Sequence, residues 1–450
     1  MSCTVFKSTN AVDQSVNVFP PKGYISNVRV LKNDDIENGN IFKFRSDTAR
    51  TFRATGATLT CPSNNVLIAV TEVFLNPSSE IILTLDEGRD YAYLSWNDTD
   101  GIVGFTPPDG SAFFGAYVDY SVGLHTENAT SIAGLLMSLG GFNQRVDFWN
   151  LSDVTQAAAV FFNNRDFNRE IKWNAPKLNS LTDFLRGASK FNKNITIKNA
   201  KPVSISGLLD RAISFNSKID VDTSECFDFT AMLRDAERFN QSISNLDFRK
   251  ATRLSNMLEG TRSFNQQFEI GTLPLLEEAQ YLFASSAFNS TVKLSAPKLW
   301  NASGWFSGNK KFNSTIAVDF SSVTTMSYFF FLATSFNQSI SHFNIKNVLN
   351  FEGFLTSATS FNQDLSAFPA KFNVNANIAD VSAAPNWSTE NYDKYLNALW
   401  LDVGTSRQNE WANGTGPKTV YAVAKRSAAS QAAVSGLIGA GWTIVDGGLV

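Results

Sequence analysis

Few residues in this chain have the types and spacing that catalysis or metal binding requires. Its two histidines, His125 and His342, lie 217 residues apart, and neither has a cysteine or a second histidine at the spacing of zinc ligands. The chain contains no Gly-x-Ser-x-Gly motif, no phosphate-binding glycine-rich loop ending in Lys-Ser/Thr and no dinucleotide-binding fingerprint. We therefore expect no catalytic residue, no cofactor and no metal ion.

The carboxylates leave one enzymatic hypothesis open. The adjacent pairs Asp34/Asp35 and Glu277/Glu278 lie in polar or helical contexts, which favours a solvated surface. A glycosidase would escape this test, because its two carboxylates meet in space and not in sequence. The segment Asn97–Gly101 resembles part of a calcium loop but lacks the downstream glutamate of an EF-hand, so a hairpin turn is the favoured interpretation.

Composition excludes several classes of partner. The net charge is −3 and no basic run is longer than a pair such as Arg249-Lys250, whereas nucleic-acid binding needs clustered Lys and Arg. No run of about 18 apolar residues exists, so we expect no membrane insertion. Cys3, Cys61 and Cys226 are too far apart to indicate a disulfide framework or a metal site.

The first ten residues lack a basic end followed by an apolar run, which is the pattern of a secretory signal. We therefore expect the chain to reach an outside surface by another route. Assembly into a virus particle is one such route.

The dominant pattern is a Phe-Asn pair that recurs ten times at intervals of 24 or 25 residues. A fixed period of this size predicts a solenoid, in which each repeat is one supersecondary unit stacked on its neighbours. Stacked in this way, the ten rings form an aromatic ladder in the core, and each following Asn hydrogen-bonds backbone groups in its own turn and in the adjacent repeat. The ladder consists of Phe142, Phe167, Phe191, Phe215, Phe239, Phe264, Phe288, Phe312, Phe336 and Phe361.

The rest of each repeat shows two further apolar patterns. An apolar residue stands four positions after every repeat Phe, and a second follows two further on in 24-residue repeats and three further on in the others, which predicts a short strand with one buried face. The extra residue is expected to form a bulge at the strand's end. An apolar pair six and seven positions before the Phe, such as Met232/Leu233, predicts a short helix.

Segments such as Phe361–Phe368, preceded by Phe354–Ser360, resemble the BspA-like leucine-rich repeat of the type found in mycoplasma surface lipoproteins. The resemblance covers about residues 118–375. It implies a right-handed α/β solenoid used in adhesion or protein recognition, without enzymatic activity. The ending Gly441–Gly448 resembles the tails of repeat proteins in marine bacteria and of phage structural proteins.

These patterns predict an α/β protein of three parts. Residues 1–117 hold short alternating runs separated by turn residues, which predicts an antiparallel β-sandwich or barrel suited to docking. Residues 118–375 form the solenoid of about ten repeats, beginning with a degenerate repeat in which Val122 and Leu124 occupy the strand positions. Residues 376–450 form an α/β cap, with Ser388 as N-cap of a helix to Leu401, a second helix over 427–438 and a strand over 442–445.

The candidate recognition face consists of the outward residues of the stacked strands, whose chemistry varies between repeats: Asp147, Lys172, Thr196, Asp220, Ser244, Glu269, Lys293, Ala317, Ser341 and Ser366. A solvated face without a ligand is the competing interpretation. We hypothesise a non-enzymatic virion structural or appendage protein that recognises a host-surface glycan or protein. It would be oligomeric within an assembly and contact other virion proteins through its N-terminal part. The alternatives are a cellular surface adhesin exported by a non-classical route and, less favoured, a polysaccharide-degrading enzyme.

Overall fold

The computed structural model describes residues 151–450 throughout and, before them, ten strands and residues 130–138, 143, 146, 147 and 149. The protein is a mixed α/β structure that divides into two compact units, Met1–Glu225 and Cys226–Val450. Among the described residues, no helix has the length and apolarity needed to cross a membrane. Phe142 and residues 98–101 of the calcium-like segment lie outside the described residues.

The N-terminal strands form two antiparallel sheets, one of six strands in the order β1-β7-β4-β9-β2-β10 and one of four in the order β3-β8-β5-β6. The strands are β1 Thr4–Phe6, β2 Asn27–Leu31, β3 Ile41–Arg45, β4 Arg50–Thr55, β5 Ala57–Cys61, β6 Val66–Ile68, β7 Glu72–Leu75, β8 Glu80–Leu85, β9 Tyr91–Asn97 and β10 Val122–His125.

The strand β10 corrects one prediction. It contains Val122 and Leu124, which the repeat pattern assigns to a parallel repeat strand, but it pairs antiparallel with β2. The residues that follow join the stack instead, since the N–H groups of Ile132 and Leu136 bond to the carbonyls of Gln156 and Val160 in the next repeat. The degenerate repeat therefore begins as a strand of the six-stranded antiparallel sheet and ends in hydrogen bonds to the next repeat.

The repeats contribute two parallel three-stranded sheets. The first unit holds β11 Ile171–Asn174, β12 Ile195–Lys198 and β13 Ile219–Val221, and the second holds β14 Phe268–Thr272, β15 Val292–Ser295 and β16 Ile316–Val318. Equivalent residues of successive repeats pair, as Ile171 does with Ile195. Side chains alternate between buried and outward positions, as the period of two predicts.

The described residues of the 25-residue repeats form no strand at this place, contrary to the prediction that a bulge absorbs the extra residue. In the repeat that begins at Phe239, the N–H of Leu246 bonds to the carbonyl of Ile243 at 3.0 Å, and Phe343 and Ile340 form the same turn at 2.9 Å. The bulge that does occur, between Glu269 and Gly271, lies in a 24-residue repeat. One additional residue thus closes an i→i+3 turn instead of extending the sheet.

The short helix predicted in each repeat is wrong, because these residues form a run of hydrogen-bonded turns. Phe184 N–H bonds back to Leu181, while the N–H groups of Asp183 and Leu185 bond across to the carbonyls of Ser206 and Leu208 in the next repeat. The N–H groups thus bond alternately within the repeat and to the next repeat. This pattern requires two residues with positive φ, four positions apart. Such pairs recur through the stack at Asp183/Gly187, Gly207/Arg211, Ala231/Asp235, Asn256/Gly260, Tyr281/Ser285, Gly304/Gly308, Tyr328/Leu332 and Gly353/Ser357.

The described core of the repeats is built around the Phe-Asn pairs. The nine described ladder phenylalanines are 0–1% exposed. Within each unit, successive rings stack 5.7–6.2 Å apart with interplanar angles of 2–15°. Within each unit, the backbone N–H of a ladder Asn donates to the side-chain oxygen of the Asn one repeat earlier at 2.7–2.9 Å. Both residues of the pair are thus used in repeat-to-repeat contacts.

The C-terminal segment after residue 375 contains the helices. These are α1 Thr389–Leu401, α2 Gln408–Asn413 and α3 Gln431–Gly439, with a π-helical turn at Asp402–Ser406 and 3₁₀ turns at Ala379–Ser382 and Ala428–Ser430. Another 3₁₀ turn, Pro369–Lys371, precedes them. Strands β17 Thr419–Tyr421 and β18 Thr443–Val445 pair in parallel around α3. Ser388 caps α1 as predicted, and its own N–H continues the Asn ladder by bonding to Asn362.

Candidate functional site: outward faces of the repeats and the C-terminal segment

The predicted recognition face divides into two short rows on sheets. Lys172, Thr196 and Asp220 are register partners on the outward side of β11–β13. Glu269 and Lys293 are partners on β14 and β15, and Ala317 pairs with Lys293 on β16. All of these residues are exposed except Thr196, which is half-buried. Each row therefore presents three different side chains in line.

The remaining members of the predicted face lie in the turns that replace strands. Asp147 and Ser244 are exposed, while Ser341 and Ser366 are half-buried. Because a turn does not alternate its side chains as a strand does, these four residues do not extend the rows on the sheets. The length of a repeat thus decides whether its outward residue joins a row.

A second outward face, on the turn side of the repeats, carries aromatic side chains that the strand pattern does not find. Tyr281 is exposed, and its ring lies where a Cβ on Gly304 of the next repeat would be, at 2.3 Å from that position. Tyr328 lies in the same way against Gly353, at 2.5 Å. Glycine at the receiving position is what allows each ring to rest on the backbone of its neighbour. We call these residues the turn face.

The turn face repeats its aromatic residues at every second repeat, because tyrosine and glycine alternate at one left-handed position. With about 4.8 Å between stacked strands, the two rings lie about 10 Å apart along the stack. Trp300, 40% exposed, and Leu349, 45% exposed, directly precede Asn301 and Asn350, which belong to one column of parallel bridges. The alternation of a bulky residue with glycine at a fixed repeat position is the sequence signal for this face.

A hydrogen bond to the next repeat holds Tyr328 of the turn face in place. The hydroxyl of Tyr328 donates to the carboxylate of Glu352 in the next repeat. This hydrogen bond, with burial and the negative charge of Glu352 adding to it, raises the pKa of Tyr328 above its usual value. The phenol therefore stays protonated and acts as a donor at neutral pH.

The C-terminal segment is held to the last repeats by a buried ion pair. Arg407 contacts both carboxylate oxygens of Asp402, with its Nη2 at 2.6 Å from Oδ2, and donates to the carbonyls of Phe372 at 2.8 Å and Pro369 at 2.7 Å. The indole Nε1 of Trp411 donates to Asp402 at 2.7 Å. The guanidinium, the carboxylate and the indole N–H of this cluster are therefore all paired, as burial of a charge requires.

A second buried carboxylate, Asp393 on α1, organises the start of the last helix. It accepts hydrogen bonds from the N–H and hydroxyl of Ser427 and from the hydroxyl of Ser430. Burial opposes ionisation of Asp393, but these hydrogen bonds favour the charged form and leave its pKa below the usual value. Within the part of the chain that the structure describes, no group of three or more His, Cys, Asp or Glu residues could hold a metal ion.

Comparison with known proteins assigns the repeats to a family. The family described as Mycoplasma protein of unknown function, DUF285, matches residues 121–205, 199–295 and 277–392. No curated protein and no solved structure matches the chain. The three matches overlap and together span more than half of the sequence, over the region that carries the Phe-Asn repeats. The chain belongs to the family described as Mycoplasma protein of unknown function, DUF285.

Proposed function

We propose that this protein is a non-enzymatic recognition protein of a virus particle, a structural or appendage component whose repeats bind a glycan or protein on a host surface. In this proposal, about ten repeats form a right-handed solenoid, the N-terminal sheets dock on other virion proteins, and the C-terminal segment caps the stack. The protein acts as one of several copies in an assembly.

The observation that carries the proposal is the separation of constant from variable residues within each repeat. The ladder Phe and Asn are used in contacts between repeats, and their chemistry is the same along the stack. The outward residues differ from one repeat to the next on both faces, with lysine, threonine and aspartate in one row and two tyrosines on the turn face. A scaffold of this kind supports an extended surface whose specificity changes without cost to folding.

The second candidate is a cellular surface adhesin, and the family match favours it. The matching family is described from Mycoplasma, which is cellular and not viral. The same repeat surface would then recognise a partner from the outside of the cell that makes it.

Immunogold electron microscopy distinguishes the two candidates. An antibody against residues 118–375 is applied to a producing culture and to particles purified from it, with the pre-immune serum as control. Gold on capsids or tails is the result we expect for a virion component. Gold confined to the cell envelope, together with absence of the protein from purified particles, contradicts the virion proposal and supports the adhesin.

A further inference from the structure

The strand β18 at the end of the C-terminal segment has one unpaired edge. It pairs in parallel with β17, and among the strands that the structure describes none lies on its other side. The N–H of Thr443 bonds to the carbonyl of Lys418 at 2.8 Å, and the carbonyl of Val445 accepts from Ala422 at 2.9 Å. Since successive residues of a strand direct these groups to opposite edges, the N–H and C=O of Ile444 point to the open edge. Unpaired backbone groups of this kind are a template for another strand.

The inward side of β18 is also incompletely covered. Ile444 is the register partner of Val420 on the inward side of the two-stranded sheet. Val420 is fully buried, whereas Ile444 is only half-buried. In the repeats, an inward strand residue such as Val292 is buried because its register partner in the next strand, Ile316, packs beside it. Ile444 lacks such a neighbour on its open side.

Exposed apolar side chains lie beside this edge. Tyr421 and Val445 are register partners, each 46% exposed, so they lie side by side on the outward face of the two-stranded sheet. The chain after β18 stays beside residues 424–426, since the N–H of Val450 bonds to the carbonyl of Arg426 at 2.9 Å. Single exposed apolar residues are ordinary, but a group of them marks a contact surface. The group on these two strands and the residues that extend them consists of Tyr421, Val423, Val445, Leu449 and Val450.

The same edge carries almost no free charge. Residues 427–450 contain a single charged side chain, Asp446. Its carboxylate is held by Arg426, whose Nη1 lies 2.6 Å from Oδ1, and by the hydroxyl of Tyr392 at 3.2 Å. The exposed Lys425 lies one strand further from the open edge. In a contact about a two-fold axis each residue near the axis meets its own copy, so free charges there would repel each other. An edge without them is therefore suited to a second copy of the same chain.

We propose that β18 pairs antiparallel with β18 of a second copy, which joins two chains tail to tail about a two-fold axis at Ile444. In this register the two Ile444 residues face each other and exchange both N–H···O=C bonds, as a hydrogen-bonded antiparallel pair does. Thr443 then lies opposite Val445 of the second copy, and the two two-stranded sheets become one sheet of four strands. Each Ile444 side chain meets its copy on the inward side, which supplies the contact that β18 lacks within one chain.

The inference rests on the proposed function in one respect, the expectation of several copies in an assembly, to which it gives a contact. It makes no use of the outward faces of the repeats. Dimerisation of the purified chain and binding to a host surface can therefore fail separately.

The first test measures the mass of the purified full chain by sedimentation velocity over a range of concentrations. We expect a dimer, of twice the chain's 49.5 kDa, with a dissociation constant of about 1–100 μM because the contact is small. Val445→Lys places two like charges beside the axis and should weaken the dimer about tenfold or more. Val203→Lys is the matched control, because it adds the same charge at an exposed valine of the repeats, and it should leave the dimer unchanged. A monomeric parent, or a dimer that Val445→Lys leaves intact, overturns the inference.

The second test measures the register by disulfide cross-linking. Opposite residues of a hydrogen-bonded antiparallel pair have Cα atoms about 5.5 Å apart, which a disulfide spans. Ile444→Cys should therefore form an intermolecular disulfide under mild oxidation, whereas Tyr421→Cys, one strand further from the axis, should not. The chain's own cysteines are the same in both variants, so they contribute equally to both results. Equal cross-linking of the two variants, or none in Ile444→Cys, contradicts the proposed pairing.

Discussion

Within the second unit, the buried polar groups of the repeats find their hydrogen-bond partners in a different way from those of the C-terminal segment. In residues 226–375, backbone and Asn side chains bond from one repeat to the next, and ring stacks fill the space between them. In residues 376–450, the buried polar groups are individual side chains, such as the pair Arg407 and Asp402. The repeats thus satisfy their polar groups through a recurring pattern of hydrogen bonds, whereas the C-terminal segment relies on single clusters of side chains.

The comparison teaches that the buried ladder residues stabilise the repeats, whereas under the proposed function the exposed outward residues carry specificity. A fully buried phenylalanine contributes about 1.5–3 kcal/mol by removal from water, and a stacked pair about 0.5–1.5 kcal/mol more. Because the described ladder phenylalanines within each unit make both contributions, the outward positions of the repeats are free to vary under the proposed function. The following predictions test this division, beginning with the largest effect.

Truncating a ladder ring should be the most damaging single change. Phe312 is fully buried and stacks on Phe306 at 3.7 Å and on Phe336 at 5.7 Å. We expect Phe312→Ala to lower the free energy of unfolding by about 3–5 kcal/mol, through lost burial and the cavity it leaves. Chemical denaturation measures the loss, and Lys293→Ala on the exposed row is the control, expected within about 0.5 kcal/mol of the parent.

Breaking the buried ion pair should loosen the C-terminal segment more than the repeats. Arg407→Ala leaves the Asp402 carboxylate buried and unpaired, and it also removes donors to two carbonyls near the last repeat, so we expect a loss of about 3 kcal/mol. Hydrogen exchange should rise after residue 368 and stay low in the preceding repeats. Arg249→Ala, which removes an exposed pair with Asp247, should change neither. An equal rise in hydrogen exchange in the repeats and after residue 368 would contradict the proposed difference between the two regions.

Removing one Asn of the ladder should have a moderate effect. The side-chain oxygen of Asn313 accepts from the N–H of Asn337 at 2.9 Å and from Gln338 at 3.2 Å. We expect Asn313→Ala to cost about 1–2 kcal/mol and Asn313→Asp, which keeps the acceptor, to cost less. The matched control is Asn344→Ala, a Phe-Asn pair outside the register. If Asn344→Ala lowers the free energy of unfolding as much as Asn313→Ala does, the position of an Asn in the repeat register has no special effect on stability.

The smallest expected effect is a loss of stability in acid. The folded pKa of Asp393 lies below its unfolded value, so its contribution is present above the unfolded pKa, about 4, and is lost as the pH falls through the folded pKa. Between about pH 4 and pH 2, the native protein should therefore lose more stability than Asp393→Asn does. Thermal unfolding across this range measures it, with Asp220→Asn as exposed control. Identical slopes for the parent and Asp393→Asn would refute the assignment.

Sequence periodicity predicted the ladder's register and the strands of the 24-residue repeats, because these depend on residues that recur at fixed intervals. It failed where two backbone conformations bury the same residues. Phe184, Leu185 and Ala188 are all buried, and their spacing fits a helix as well as it fits a run of turns with left-handed residues. The glycines opposite Tyr281 and Tyr328 were the available signal for the second conformation.

The convergence of three tryptophans in the C-terminal segment lay beyond periodicity for another reason. Trp400, Trp411 and Trp442 come from α1, α2 and the residue before β18, and no spacing in the sequence brings them together. Their convergence depends on how α1 and α3 pack, with Gly436 lying against the Trp400 ring. By contrast, Ser388 as the N-cap of α1 was predictable, because a cap depends only on its local neighbours.

The measurement that tests the central claim most directly is binding of the full chain to arrays of cell-surface glycans and proteins, with release of reducing sugar assayed in parallel. A recognition protein should bind a defined ligand class saturably without releasing sugar. A variant with Tyr281→Ala and Tyr328→Ala should lose turn-face binding while it stays folded, which thermal unfolding checks. Failure to bind any array member, or release of sugar from a bound glycan, would contradict the account.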